Sequence, residues 1–290
     1  MRSIHLRPRL LLIVLVAGAA AAWLRVDSAR MMAAQPKFYP DDPVWVSHDR
    51  QDASGAKPWE IDLITNVLYN LFANPGDKRH NVRAQNLNTV DEVSDSNWFT
   101  NRAGLKPITA EDVARGPDVT DGPAAGSWTV TASKSDGVTP GFTIRDERGV
   151  RWFLKFDPKG YRGMATGTEV AVTKLMWALG YFVAENHVAS LDRRRLVIGE
   201  GARFTPPGGE PRPMRPSDID DLLSRANRDA DGTYRVVASK AVEGTPLGGF
   251  RFHDTRPDDP NDLVPHEHRR ELRGYLVFAA WLNQFDVNAI

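Results

Sequence analysis

The sequence predicts an α+β fold, an antiparallel sheet with one principal helix behind an N-terminal extension, and three observations predict it. Between Trp128 and Phe156, three short runs rich in aromatic and β-branched residues are separated by turn sequences. An amphipathic helix follows in "ATGTEVAVTKLMWALGY", and further strand-like runs follow that. With 290 residues, the chain is long enough to bury a sizeable core in one or two domains.

At the N-terminus, Arg2, Arg7 and Arg9 precede an uncharged apolar run from Leu10 to Leu24. The run is shorter than the roughly 20 residues a helix needs to cross a bilayer, and small residues stand near its end, as at Ala20 and Ala22, and beyond it, as at Ala33 and Ala34. Residues 1–34 therefore read as a secretory signal, with an uncleaved inner-membrane anchor as the alternative. The rest is expected in the periplasm or outside the cell. The sequence contains no cysteine, which excludes disulfides, thiol nucleophiles and cysteine-based zinc sites. Lys plus Arg equals Asp plus Glu at 37 each, so no global field favours nucleic acid. Membrane contact is expected only through the N-terminal segment.

Residues 35–125 read as an extension. Ile64, Val67, Leu68 and Leu71 stand at i, i+3, i+4 and i+7, with Pro75 and Gly76 closing the run, so one amphipathic helix is expected here. A short helix is expected at "TAEDVARG", where Thr109 can cap and Asp112 stands three residues on. Residues 126–245 hold strands near Trp128–Ala132, Gly141–Arg145 and Val150–Phe156, then the helix, whose inner stripe comprises Ala165, Glu169, Val172, Leu175, Met176 and Leu179. Strands at "HVASLDRRRLVIG" and "TYRVVASKAV" follow, separated by a short helix at "DIDDLLSRA". Residues 246–290 run through an acidic turn-rich stretch into a helix bearing Leu272, Tyr275, Leu276, Ala279 and Leu282. The sequence stops four residues after Asp286, which reads as the cut end of a longer helical region.

The chemistry centres on "RWFLKFDPKG". On a strand, Trp152, Leu154 and Phe156 share one face, while Phe153 and Lys155 share the other. An ammonium among aromatics needs a carboxylate, an anionic ligand or a route to water along its own stem. Glu169 is the candidate partner, although "TGTE" also spells a capping box in which Glu169 would serve the helix terminus instead.

A lysine strand, a glutamate helix, a following strand "VVASKAVEG" and a long helix ending at an aspartate resemble the N-terminal lobe of the protein-kinase-like superfamily. The resemblance covers roughly residues 126–290. It is closest to the atypical HipA-like and lipid-kinase-like bacterial branches, and to secreted bacterial proteins of unassigned function sharing "FLKFDP" and "PHEHRRELRG". It implies an ATP-binding phosphotransferase acting with magnesium on an unidentified phosphate acceptor. Lys155 would hold the phosphates and Glu169 would hold Lys155. Amides near Ser135, Asp136 and Gly137 would cover the phosphates, and Asp286 would be the catalytic aspartate. Four departures from the family pattern are visible. The loop has no full glycine triad, Phe153 stands where a small residue is usual, and Gln284 stands where a histidine is usual. The metal-holding asparagine and aspartate would fall after Ile290, so this fragment is expected not to transfer phosphate. The alternative is a non-catalytic, envelope-associated binding or structural protein on the same scaffold.

A second constellation, "HDTRPDDPNDLVPHEH", gathers His253, Asp254, Asp258, Asp259, Asp262, His266 and His268. It lacks the His-Glu-x-x-His spacing of a zinc hydrolase, since Arg270 stands four residues after His266. It reads as a solvated loop leading into a helix. No Gly-x-Ser-x-Gly elbow supports a serine hydrolase.

Overall fold

A computed structural model of the protein describes residues 51–59, 62–85, 95–96, 98–134, 139–249 and 251–284. The fold is α+β, as the sequence predicts. The strands are β1 (Trp128–Ser133), β2 (Gly141–Arg145), β3 (Arg151–Phe156), β4 (Asn186–Leu191), β5 (Leu196–Phe204), β6 (Arg212–Pro213) and β7 (Tyr234–Lys240). They form one sheet in the order β4-β7-β3-β2-β1-β5-β6. The expected all-antiparallel arrangement holds except at β1 and β5, which run parallel. The helices are α1 (Leu63–Ala73), α2 (Arg102–Leu105), α3 (Ala110–Arg115), α4 (Thr166–Ala178), α5 (Pro216–Ser224) and α6 (Arg270–Trp281). The N-terminal apolar segment, the 135–137 loop and Asp286 lie outside the described residues.

Alternation builds the core. Trp152, Leu154 and Phe156 of β3 are buried on one face, beside Phe142 and Ile144 of β2 and Val236 and Ala238 of β7. Ile219, Leu222 and Leu223 of α5 belong to the same cluster. Each such side chain contributes on the order of 1.5–3 kcal/mol by leaving water. Strands β2 and β3 approach so closely that a Cβ at Gly141 would lie 2.3 Å from the Leu154 carbonyl oxygen, so this position requires glycine.

The opposite face carries Phe153, Lys155, Val237 and Ser239, and α4 lies over it. The buried stripe of α4 runs through Thr166, Thr173 and Met176, with Glu169 half-buried among them. Two threonines thus occupy places that hydropathy assigned to Val172 and Leu175. Asn186 Nδ2 of β4 donates to Thr173 Oγ1 at 2.7 Å, which shows why a hydroxyl is needed there.

The start of α4 differs from the expected capping box. Ala165 stands at the N-cap with no side-chain cap, and the carboxylate that serves the terminus is Asp157, just after β3. Asp157 accepts from the amides of Gly163 at 2.7 Å, Ala165 at 2.9 Å and Thr166 at 2.8 Å, and from Thr166 Oγ1 at 2.9 Å. Burial opposes its ionisation, but the Thr166 and Gly163 amides and the Thr166 hydroxyl outweigh burial and hold its pKa below the usual carboxylate range. Thr109 and Asp112 do form the expected capping box on α3.

Asp157→Ala would leave these donors without their acceptor and is expected to cost about 3 kcal/mol in urea unfolding. Because the folded pKa is depressed, the carboxylate's contribution is present above the unfolded value near 4 and is lost as pH falls through the lower folded value. Asp157→Asn should therefore flatten the acid limb of the stability profile; an unchanged limb would contradict this assignment.

Candidate functional site

Lys155 and Glu169 meet. Lys155 Nζ donates to Glu169 Oε1 at 2.9 Å and to Oε2 at 2.8 Å. Strand β3 supplies the lysine, its backbone fixed between Gly141 of β2 and Val237 of β7. Helix α4 supplies the glutamate one turn after its Asp157-held terminus. Ser239 Oγ of β7 adds a third contact, donating to Glu169 Oε1 at 3.3 Å. Thus Glu169 faces the lysine rather than capping its own helix.

The pair is not dry. The side chains retain 36% and 25% of their exposure, and Phe153 beside them is 42% exposed. Both sequence-level explanations of Lys155 are therefore realised together: the face is partly wet, and a carboxylate stands opposite. The "VVASKAVEG" segment contributes β7, antiparallel to β3 and immediately beside it. The ammonium of Lys240, at the end of β7, lies 2.7 Å from Glu185 Oε1. Burial raises the Glu185 pKa, but Lys240 and Thr120 outweigh it and bring it down to about 2.

Asp157 and Ser239 escaped the sequence reading. The available signal for Asp157 was the carboxylate of "FDP" preceding a glycine-rich turn, but a cap is sought next to its helix, and this one stands nine residues before Thr166. Ser239 is identified only by strand register, which places it on the Lys155 face.

The second half of the histidine–aspartate stretch corrects the sequence reading: Asp262, His266 and His268 are buried rather than solvated, whereas Asp254 and Asp258 are exposed as expected. His266, His268, Asp262, Arg269 and Glu271 are each at most 7% exposed. Arg269 lies between Asp262 Oδ1 at 3.4 Å and Glu271 Oε1 at 3.2 Å, with its guanidinium 5.6 Å from the Trp98 ring centre. Ser96 Oγ donates to Glu271 Oε1 at 2.9 Å. His266 Nε2 lies 2.7 Å from Asp262 Oδ2, and its Nδ1 meets the Arg251 carbonyl. Burial pushes the Asp262 pKa up, but His266 and the Arg256 amide outweigh it, so the carboxyl lies below its ordinary value. In His268, Nδ1 accepts from Arg273 at 2.9 Å while Nε2 faces Asp77 Oδ2 at 2.9 Å, an arrangement suited to the neutral ring. Among the described residues, no group of three or more His, Asp or Glu side chains is placed to hold a metal ion.

Comparison with protein families, with curated proteins and with solved structures finds no match to this chain.

Two measurements separate the clusters energetically. Arg269→Met would remove the guanidinium that lies between two buried carboxylates, and urea unfolding should register a loss of about 3 kcal/mol. Glu169→Gln touches a half-exposed pair, and the same assay should register about 1 kcal/mol or less.

Proposed function

We propose that this chain is an exported, ATP-binding phosphotransferase domain of kinase-like type, with Lys155 as its phosphate-binding cation. The observation that carries this reading is the two-oxygen contact between Glu169 and Lys155, made from a helix that immediately follows the lysine's strand. A cation held by a carboxylate and open to solvent on one side suits the oxygens of a nucleotide's phosphates. Glu169 orients the ammonium, and Ser239 supports the glutamate. Ser135, Asp136 and Gly137 would bring backbone amides to the phosphates, and Asp286 would accept the proton of the attacking hydroxyl. Magnesium would supply charge neutralisation at the phosphates.

A second reading has one specific observation in its favour. The Arg-flanked apolar run at Leu10–Leu24 points to export, away from the cytoplasmic ATP pool. On that reading the scaffold binds a ligand in the cell envelope without transferring phosphate.

Thermal unfolding with ATP and magnesium tests the nucleotide reading directly. The chain should melt about 5 °C higher at saturating nucleotide. Lys155→Met should abolish this shift while leaving the nucleotide-free midpoint within a degree or two, because the pair contributes little by itself. No shift in the unsubstituted chain, or an undiminished shift in Lys155→Met, would sink the assignment of Lys155.

A further inference from the structure

Helix α1 is inverted. Its sequence, "LITNVLYNLFA", contains no charged residue. At 100° per residue, Ile64, Val67, Leu68, Leu71 and Phe72 fall on one arc about 140° wide, the stripe that ordinarily faces a core. Here it faces solvent: these side chains are 70%, 53%, 48%, 69% and 80% exposed. Asn66, on the far side of the helix, is buried instead, and its Oδ1 has no hydrogen-bond partner. On the same inner side, the Tyr69 ring lies 6.0 Å from that of His253 and 4.9 Å from the Arg251 guanidinium. Asn66 is thus the buried side chain among residues 64–73, Tyr69 contacts the rest of the protein while 39% exposed, and the apolar side is turned outward. It is well formed, with the Asp62 side chain accepting from the Thr65 amide at 2.7 Å and Asn74 closing the C-terminus at φ 44°.

We infer that the outward stripe of α1 is a docking surface for a phospholipid bilayer, on which the helix lies flat. Two arguments favour a bilayer over a second copy of the chain. Eleven residues make a stripe about 16 Å long, too little to supply the roughly 800 Å² per partner that a stable protein interface buries. A membrane surface takes up an apolar helical face without a shaped partner surface, here through apolar area alone, since α1 carries none of the basic residues that anionic lipid would attract. The order of the chain agrees on the reading of residues 1–34 as an uncleaved anchor, since the Arg-flanked apolar run ending at Leu24 would then hold the polypeptide at a membrane ahead of α1. The same eleven residues are too few to span a bilayer, and among the described residues no helix is long and apolar enough to do so.

The absence of cysteine makes the test clean, since one introduced cysteine can carry one fluorophore. The full chain carrying Leu68→Cys, Leu71→Cys or Asn70→Cys, each labelled with an environment-sensitive nitrobenzoxadiazole, is mixed with phosphatidylethanolamine–phosphatidylglycerol vesicles. The probes at 68 and 71 should brighten several-fold and shift to the blue, while the probe at 70, off the stripe, should not. Leu68→Cys carrying a second change, Leu71→Lys, should lose that response while retaining the melting temperature of its parent. Four outcomes would overturn the inference: no response at 68 and 71, an equal response at all three positions, an undiminished response with Leu71→Lys, or brightening without vesicles that grows with protein concentration. The last would identify a second copy of the chain as the occupant.

Discussion

The carboxylate of Asp157 is the fixed point of the structure around the candidate site. A buried carboxylate must be surrounded by donors, and the donors available after β3 are the amides at the start of α4. Once they are engaged, the direction of the helix follows. Residues 153 and 155 lie on one face of β3, Asp157 follows its last residue, and α4 begins at the Asp157 carboxylate and advances back over 155. One turn into the helix, Glu169 stands above Lys155. The ion pair is a consequence of the clamp, not its cause.

Other parts of the chain take their position from the same helix. Thr173 receives the Asn186 amide of β4, and Lys174 pairs with Asp118 at 3.0 Å. Arg102 donates to the Trp177 carbonyl at 2.8 Å, and its guanidinium lies over the Trp177 ring. The segment from Asn101 to Thr120 is therefore secured mainly by polar contacts at its ends and middle, consistent with its turn-rich sequence. A second anchor lies elsewhere. Asp77 and Ser96 are joined to His268 and Glu271, and Gln51 exchanges hydrogen bonds with Asn261. These contacts tie segments near the beginning of the chain to the stretch that leads into α6.

Local pattern made β1, β2, β3, α4 and β7 legible, because each repeats its period over enough residues to be distinguished from a turn. The pairing of Lys155 with Glu169 was legible for the same reason: strand alternation and helical spacing place both side chains on facing surfaces. What pattern concealed depended on distant partners. The carboxylates of "DDPNDLVPHEHRRE" read as solvated because their composition is polar. Two of them, Asp262 and Glu271, are buried because Arg269 lies between them and Ser96 reaches Glu271, while Asp258 stays exposed. The parallel pairing of β1 with β5 leaves no mark on either strand alone. In α1 the period was correct and its meaning was reversed, since hydropathy identifies an apolar face without saying what covers it.

Magnitudes show how little Lys155 contributes to the fold. An ion pair with side chains 36% and 25% exposed contributes between nothing and about 1 kcal/mol. The four donors on Asp157 supply several times that and hold the helix terminus in place without the ion pair. Stability therefore gives little reason for a lysine between Leu154 and Phe156, where an apolar or neutral polar side chain would serve the sheet equally well. What the lysine adds is a positive charge at a fixed point, held by Glu169 and supported through Ser239, on a face that water can still reach. A charge fixed and accessible, but scarcely needed by the fold, is suited to an anionic ligand, and that is why the phosphate reading rests on Lys155 rather than on the more deeply buried charges around Arg269.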